Sequence, residues 1–240
     1  MQIVDQPVYP RTAKSEGQEL NAPRSLTESA YRQLRLDIIE GRRTAGEKLR
    51  VEHLKVEYGV GAGTLREALA FLVADSLVVP QAQRGFRVAP MSLEDIEDLT
   101  RTRMLLECAA LRDSLESGDD EWEARVVSSY HKLSRAEERL AQEPVQWFNE
   151  WEERNSAFHD ALTSACKSRW ILRFQSLLYH QAQRYRRVSA MAKEVPARVH
   201  QEHRHIFEAA IRRDVDTADT LMSQHIHFSL SVIKAEGVLK

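Results

Sequence analysis

Three histidines and an asparagine have the spacing best suited to chemistry. Asn155 and His159 lie four apart in RNSAFHDAL, so they share one helix face. Trp151, Leu162 and Cys166 fall on the same face, which turns it inward. His203 shares a face with Val199, His200, Ile206, Phe207 and Ala210, whereas His205 falls with Glu202, Glu208 and Arg212, a solvated set. His225 lines up with Ala218, Leu221, Met222, Phe228 and Val232, and His227 stands roughly opposite. His159, His203 and His225 are therefore inward imidazoles from three helices. With an amide or carboxylate oxygen beside them they form a suitable shell for a divalent transition metal, zinc first, with nickel and manganese as alternatives. The plain alternative is three buried histidines, each hydrogen-bonded locally.

The elements that must position them follow from periodicity. From Ser92 onward the chain reads as helix almost to its end. Ser92 caps a first helix that Gly118 stops, and further helices are expected near 120–142, 145–165, 168–192, 196–213 and 214–235. Six such helices make a bundle large enough to enclose a ligand cavity. Residues 1–24, with Pro7, Pro10 and Pro23, read as a flexible arm.

Residues 25–91 follow a different pattern. SLTESAYRQLRLDIIEG predicts a helix with Thr27 as N-cap, an apolar stripe of Tyr31, Leu34, Ile38 and Ile39, and Gly41 at its end. A basic loop leads to a short helix over 49–58. A third helix starts near Ala62 and buries Leu65, Leu69 and Leu72. Leu77–Pro80 and Gly85–Ala89 read as two strands, with Gln81–Arg84 at the tip between them. Helix, glycine-containing turn, helix and a β wing is the order of a winged helix-turn-helix, which makes double-stranded DNA the first partner to consider. The fold class is mainly α: this module, then the six-helix bundle over 92–240.

Charge agrees in sign. Residues 24–91 hold 11 basic and 8 acidic side chains, whereas residues 92–240 hold 21 and 25. A basic module suits phosphates, and an acidic bundle does not. The two cysteines, Cys108 and Cys166, have no paired spacing and exclude a disulfide framework. No apolar run approaches the roughly 20 residues of a membrane span, and no signal-peptide core follows the start, so a cytoplasmic protein is expected.

The third helix would present Gly63, Thr64 and Arg66 to the major groove. Lys48 and Arg50 would grip the backbone ahead of the second helix. Arg84 beside Gly85 suits a wing tip entering a minor groove.

EKLR, YGV, LREAL and RGFRVAPMS resemble the GntR family of bacterial transcription regulators. Val60, Leu65, Arg66, Glu67, Ala68 and Leu69 fall on the family pattern. Gly61, Ala62, Gly63 and Thr64 replace its usual Ser, Arg, Thr and Pro, so the family's usual operator is not implied. The later residues resemble the helical FCD sensing domain of the FadR branch, in its six-helix VanR-like subgroup. EKLR, GTLREAL, DEWEA and QRYRR are also similar to repressors of the CsiR/GlaR type, which respond to glutarate. The resemblance implies a metal held by His159, His203 and His225, with Asn155 where an aspartate is usual. It implies that Arg103, four before Glu107, faces the cavity and pairs with a carboxylate effector. Arg184, Tyr185 and Arg186, in QAQRYRRV, are further candidates for the effector pocket, with Arg184 or Arg186 lining it. The chain is thus expected to be a homodimeric repressor of a catabolic operon, binding an inverted-repeat operator and answering to a small organic acid. Its rivals are a metal-sensing regulator and a metal-dependent enzyme, though the sequence supplies no general base or nucleophile beside the metal.

Overall fold

The computed structural model describes residues 25–81, 85–192, 195–237 and 239. The expected arm over 1–24 and the wing-tip residue Arg84 lie outside the described residues.

The first module is built from α1 (Leu26–Ile39), β1 (Lys48–Leu49), α2 (Val51–Glu57), α3 (Ala62–Ala74), β2 (Val78–Gln81) and β3 (Gly85–Val88). Ser25, not Thr27, caps α1 by accepting from the Glu28 amide at 3.1 Å. Thr27 instead donates to Glu67 on α3. Its core is the predicted stripe: Leu34, Ile38, Leu54, Leu65, Leu69 and Leu72, closed by Leu77 and Val88. Each such side chain contributes about 1.5–3 kcal/mol on burial. The strand β1 was not legible in the sequence, where Leu49 reads as the start of a helix. It pairs antiparallel with β3, Leu49 opposite Phe86, giving the sheet order β1-β3-β2. Gly85 opens β3 at φ +86°, a conformation that favours glycine.

Six helices form the second module: α4 (Leu93–Ser117), α5 (Asp120–Leu140), α6 (Pro144–Thr163), α7 (Arg169–Ala190), α8 (Val195–Ile211) and α9 (Val215–Glu236). Their ends follow local chemistry. Ser92, Asp119, Ser168 and Asp214 each accept an amide hydrogen bond at an N-terminus, and Pro144 starts α6 where its missing N–H costs nothing. The core runs through Trp122, Leu133, Phe148, Phe158, Ile206 and Met222. The Trp122 indole donates to the Leu162 carbonyl at 3.2 Å, so its one polar atom is satisfied where it is fully buried. A separate cluster of Ile96, Leu99, Tyr185, Leu230 and Ile233 lies at the end of the bundle where the chain enters α4.

Candidate metal centre and DNA-reading face

The three inward histidines meet. His159 on α6, His203 on α8 and His225 on α9 bring ligand nitrogens within 4.8 Å of one another. Nε2 of His203 and Nε2 of His225 are 3.2 Å apart. Two imidazole nitrogens at about 2.0–2.1 Å from one metal stand about 2.8–3.4 Å apart, from octahedral to tetrahedral geometry. The gap is compatible with two ligands sharing an ion.

Each ring has a glutamate at its other nitrogen. Glu137 of α5 lies 2.5 Å from His203 Nδ1, and its second oxygen lies 2.7 Å from His200 Nδ1. Glu202 lies 3.0 Å from His225 Nδ1. Glu107 of α4 is 3.6 Å from His159 Nδ1, just beyond hydrogen-bond length. Carboxylates in this position fix the tautomer, leave Nε2 free for a metal and raise the ring's basicity. Sequence reasoning missed Glu137 and set Glu202 on a solvated face. A signal existed for Glu137, since it sits inside the Leu133, Ala136 and Leu140 stripe.

Polar atoms left over at the site point the same way. His159 is buried, and neither of its ring nitrogens has a hydrogen-bond partner; the same holds for Asn155 Oδ1. Orphaned buried polar groups cost about 1–3 kcal/mol each. The Asn155 amide nitrogen is occupied, donating to the Tyr179 hydroxyl at 2.7 Å. One ring nitrogen of the neutral His159 and the Asn155 Oδ1 are acceptors that a cation would satisfy, so the residues fit a metal.

Burial governs the electrostatics. It pulls His159 down to about 3 and His203 well below the usual histidine range, so both rings are neutral ligands near pH 7. Burial pushes Glu137 up to about 7, against the opposing pull of His200 and His225. Burial also works on Glu107, but Arg103 and His159 outweigh it and hold that carboxyl down to about 2. Arg103 Nε donates to Glu107 Oε1 at 2.7 Å, and its guanidinium lies 5.4 Å from the Tyr179 ring centroid. Arg186 lies 4.0 Å from that centroid and forms a buried bidentate pair with Glu152.

Arg184 and Tyr185 are not in this cluster. Arg184 donates to the Ala89 carbonyl at 2.9 Å, and Tyr185 donates to Asp95 at 2.6 Å and accepts from the Ser92 amide. The α7 helix turns them toward the joint between the modules, and presents Tyr179 and Arg186 to the site instead. Of the two arginines the sequence offered, Arg186 lies beside the site and Arg184 does not.

In the first module, Lys48, Arg50, Gly63 and Arg66 are exposed, and Thr64 is half-buried. Gly61 begins α3 without a side-chain cap, which leaves the first amides of that helix available to an anion. Leu65, next to Arg66, is fully buried and locks the helix to its core.

Comparison with known proteins settles the family. Residues 26–88 match the model of the bacterial regulatory proteins of the gntR family, and residues 98–228 match the FCD domain. The chain belongs to the GntR family, with an FCD domain as its second half. It is 52% identical to the uncharacterized HTH-type transcriptional regulator BphR of Paraburkholderia xenovorans (strain LB400), over 90% of this chain and 89% of that protein. It is 36% identical to the HTH-type transcriptional repressor GlaR of Escherichia coli (strain K12), over 85% of this chain and 94% of that one. The fold matches E. coli McbR/YncC with a TM-score of 0.71 at 17% identity, covering 89% of this chain and 99% of that one. This GntR-family chain is a DNA-binding transcription regulator and not an enzyme, as the families and relatives it matches are all regulators. No described helix is long and apolar enough to cross a membrane.

Proposed function

We propose that this regulator is a cytoplasmic, homodimeric repressor of a catabolic operon, released from an inverted-repeat operator by a small organic acid. Residues 25–91 read DNA, and residues 92–240 sense the acid. Arg66 and Thr64 read bases, Lys48, Arg50 and the Gly63 backbone hold phosphates, and Arg84 and Gly85 are further DNA contacts. The observation that carries the sensing role is the convergence of His159, His203 and His225 beside the buried Arg103. These histidines, with Asn155, hold a divalent transition metal, zinc by preference. The metal supplies a Lewis-acidic seat for one carboxylate oxygen, and Arg103 supplies a charged donor beside it. An acid that binds one arrangement of the two modules better than the other shifts the equilibrium by that difference in affinity. The relative whose printed name is repressor supports the negative sense of control.

A thermal-shift screen of organic acids, run on metal-loaded and metal-stripped protein, tests this. An acid that raises the melting temperature only with metal present supports the reading. If chelation alone abolishes DNA binding and no acid alters it, the metal is itself the effector.

A further inference from the structure

Tyr179 stands at the centre of the sensing site, yet neither metal binding nor the ion pairs account for its hydroxyl. The side chain is buried, with the Arg103 and Arg186 guanidiniums 5.4 and 4.0 Å from its ring centroid and the His159 ring 5.4 Å away. Its oxygen accepts from Asn155 Nδ2 at 2.7 Å. Asn155 must turn its other atom, Oδ1, toward a metal to ligate it, and Oδ1 is the atom left without a partner. The amide therefore has a fixed orientation in a metal-loaded site, and its N–H must go to Tyr179.

The consequence concerns the phenol's own proton. A phenol has one hydrogen to give and two lone pairs to receive with. An ionised aspartate at position 155 can only accept, so it would take the Tyr179 proton. An asparagine that donates there leaves this proton unspent, in a buried place beside two guanidiniums. A phenol keeps its proton near pH 7 at its ordinary value. A protonated donor in such a place is matched by an anionic oxygen.

We infer that Tyr179 is an effector-binding residue, donating its hydroxyl proton to the acid held at the metal, and that asparagine at position 155 is what frees that proton. This rests on the proposed acid-sensing role and names a further contact within the same site. It also gives a reason for asparagine at a position where carboxylate would bind metal more tightly: metal affinity is exchanged for a hydrogen bond to the ligand.

The test uses the full-length protein loaded with Co(II), whose visible absorption reports its ligands, and acetate and succinate as probes. Three proteins are compared: the wild type, Tyr179→Phe and Asn155→Asp. We expect Tyr179→Phe, compared with the wild type at saturating Co(II), to bind the responding acid roughly tenfold or more weakly, the range for a hydrogen bond to a charged group. We expect Asn155→Asp to move the two affinities in opposite directions, Co(II) tighter and acid weaker. A residue that served only to pack the core would not separate them. Unchanged acid affinity in Tyr179→Phe, or tighter binding of both partners in Asn155→Asp, overturns the inference and leaves the acid-sensing reading intact. A wild-type spectrum that neither acid alters overturns that reading, and the inference with it.

Discussion

Arg184 of α7 donates to the carbonyl oxygen of Ala89 at 2.9 Å, and so joins the sensing bundle to the segment that leaves the wing. It does not act alone. On the same helix Gln181 donates to the Asp75 carbonyl at the end of α3, Gln183 accepts from Arg35 of α1, and Tyr185 holds Asp95 at the start of α4. Two residues before Gln181, Tyr179 touches Asn155 of the candidate metal centre. One helix thus has the proposed sensing site at one side and the DNA-binding module at the other, a contiguous route for coupling.

Removing the Arg184 guanidinium strands a buried carbonyl. Arg184→Met keeps the apolar stem and should lower the unfolding free energy by about 1–3 kcal/mol in urea titrations. It should also reduce the effect of ligand on DNA affinity. Unchanged stability together with an unchanged response would remove this bond from the coupling route.

Arg66 is exposed on α3, while its neighbour Leu65 anchors the helix. Arg66→Ala should weaken operator binding by about 1–3 kcal/mol if the side chain reads a base, with no change in melting temperature. If it only contacts phosphate, the loss will be uniform across DNA sequences and the salt dependence will become shallower. Equal affinity for the variant and the parent would discard it as a contact.

Arg103 and Glu107 must be changed together. Their ion pair is buried, and removing one partner costs about 3–5 kcal/mol by leaving a lone charge inside. The double variant Arg103→Met with Glu107→Gln should fold and bind DNA like the parent but lose its response to acid. Operator binding measured with and without the acid separates these effects; a retained response would remove Arg103 from the effector site.

Acid should destabilise the metal-free protein. His159, held down to about 3, and His203, well below its ordinary value, refuse protons that the unfolded chain accepts below about pH 6.5. The unfolded state then binds more protons, so stability falls as pH falls through that window. Glu137, pushed up to about 7, acts in the opposite sense from 7 down to its ordinary value near 4.5. Below that value its contribution stops changing, and Glu107, held at about 2, adds to the loss. Chemical unfolding from pH 7 to 3.5 should therefore show a shallow decline that steepens below pH 4.5. Stability that rises on acidification would contradict the burial of neutral histidines.

Helical spacing made much of this molecule legible. His159, His203 and His225 each sit on an apolar stripe, and such a stripe must turn inward, so their meeting follows from periodicity and bundle packing. The cap at Ser92 and the stop at Gly118 were readable because helix ends need local partners. The two-residue strand β1 was not, because it is fixed by pairing with β3, some forty residues away. The placement of Arg184 and Arg186 was not either. Three arginines within four residues give no clear stripe, and which of them faces the site depends on how α7 rotates against α4 and α6. Glu137 and Glu202 lie far in sequence from the rings they serve or on a face that reads as solvated, so only the packed bundle reveals them.

The most direct measurement is the metal content of the purified protein, by elemental analysis, for the parent and for His203→Ala. About one zinc, nickel or manganese ion per chain is predicted for the parent, with most of it lost in the variant while the helical circular dichroism is retained. A parent that takes up no divalent metal when supplied with it, or a variant that keeps its full complement, would contradict a metal held by His159, His203 and His225.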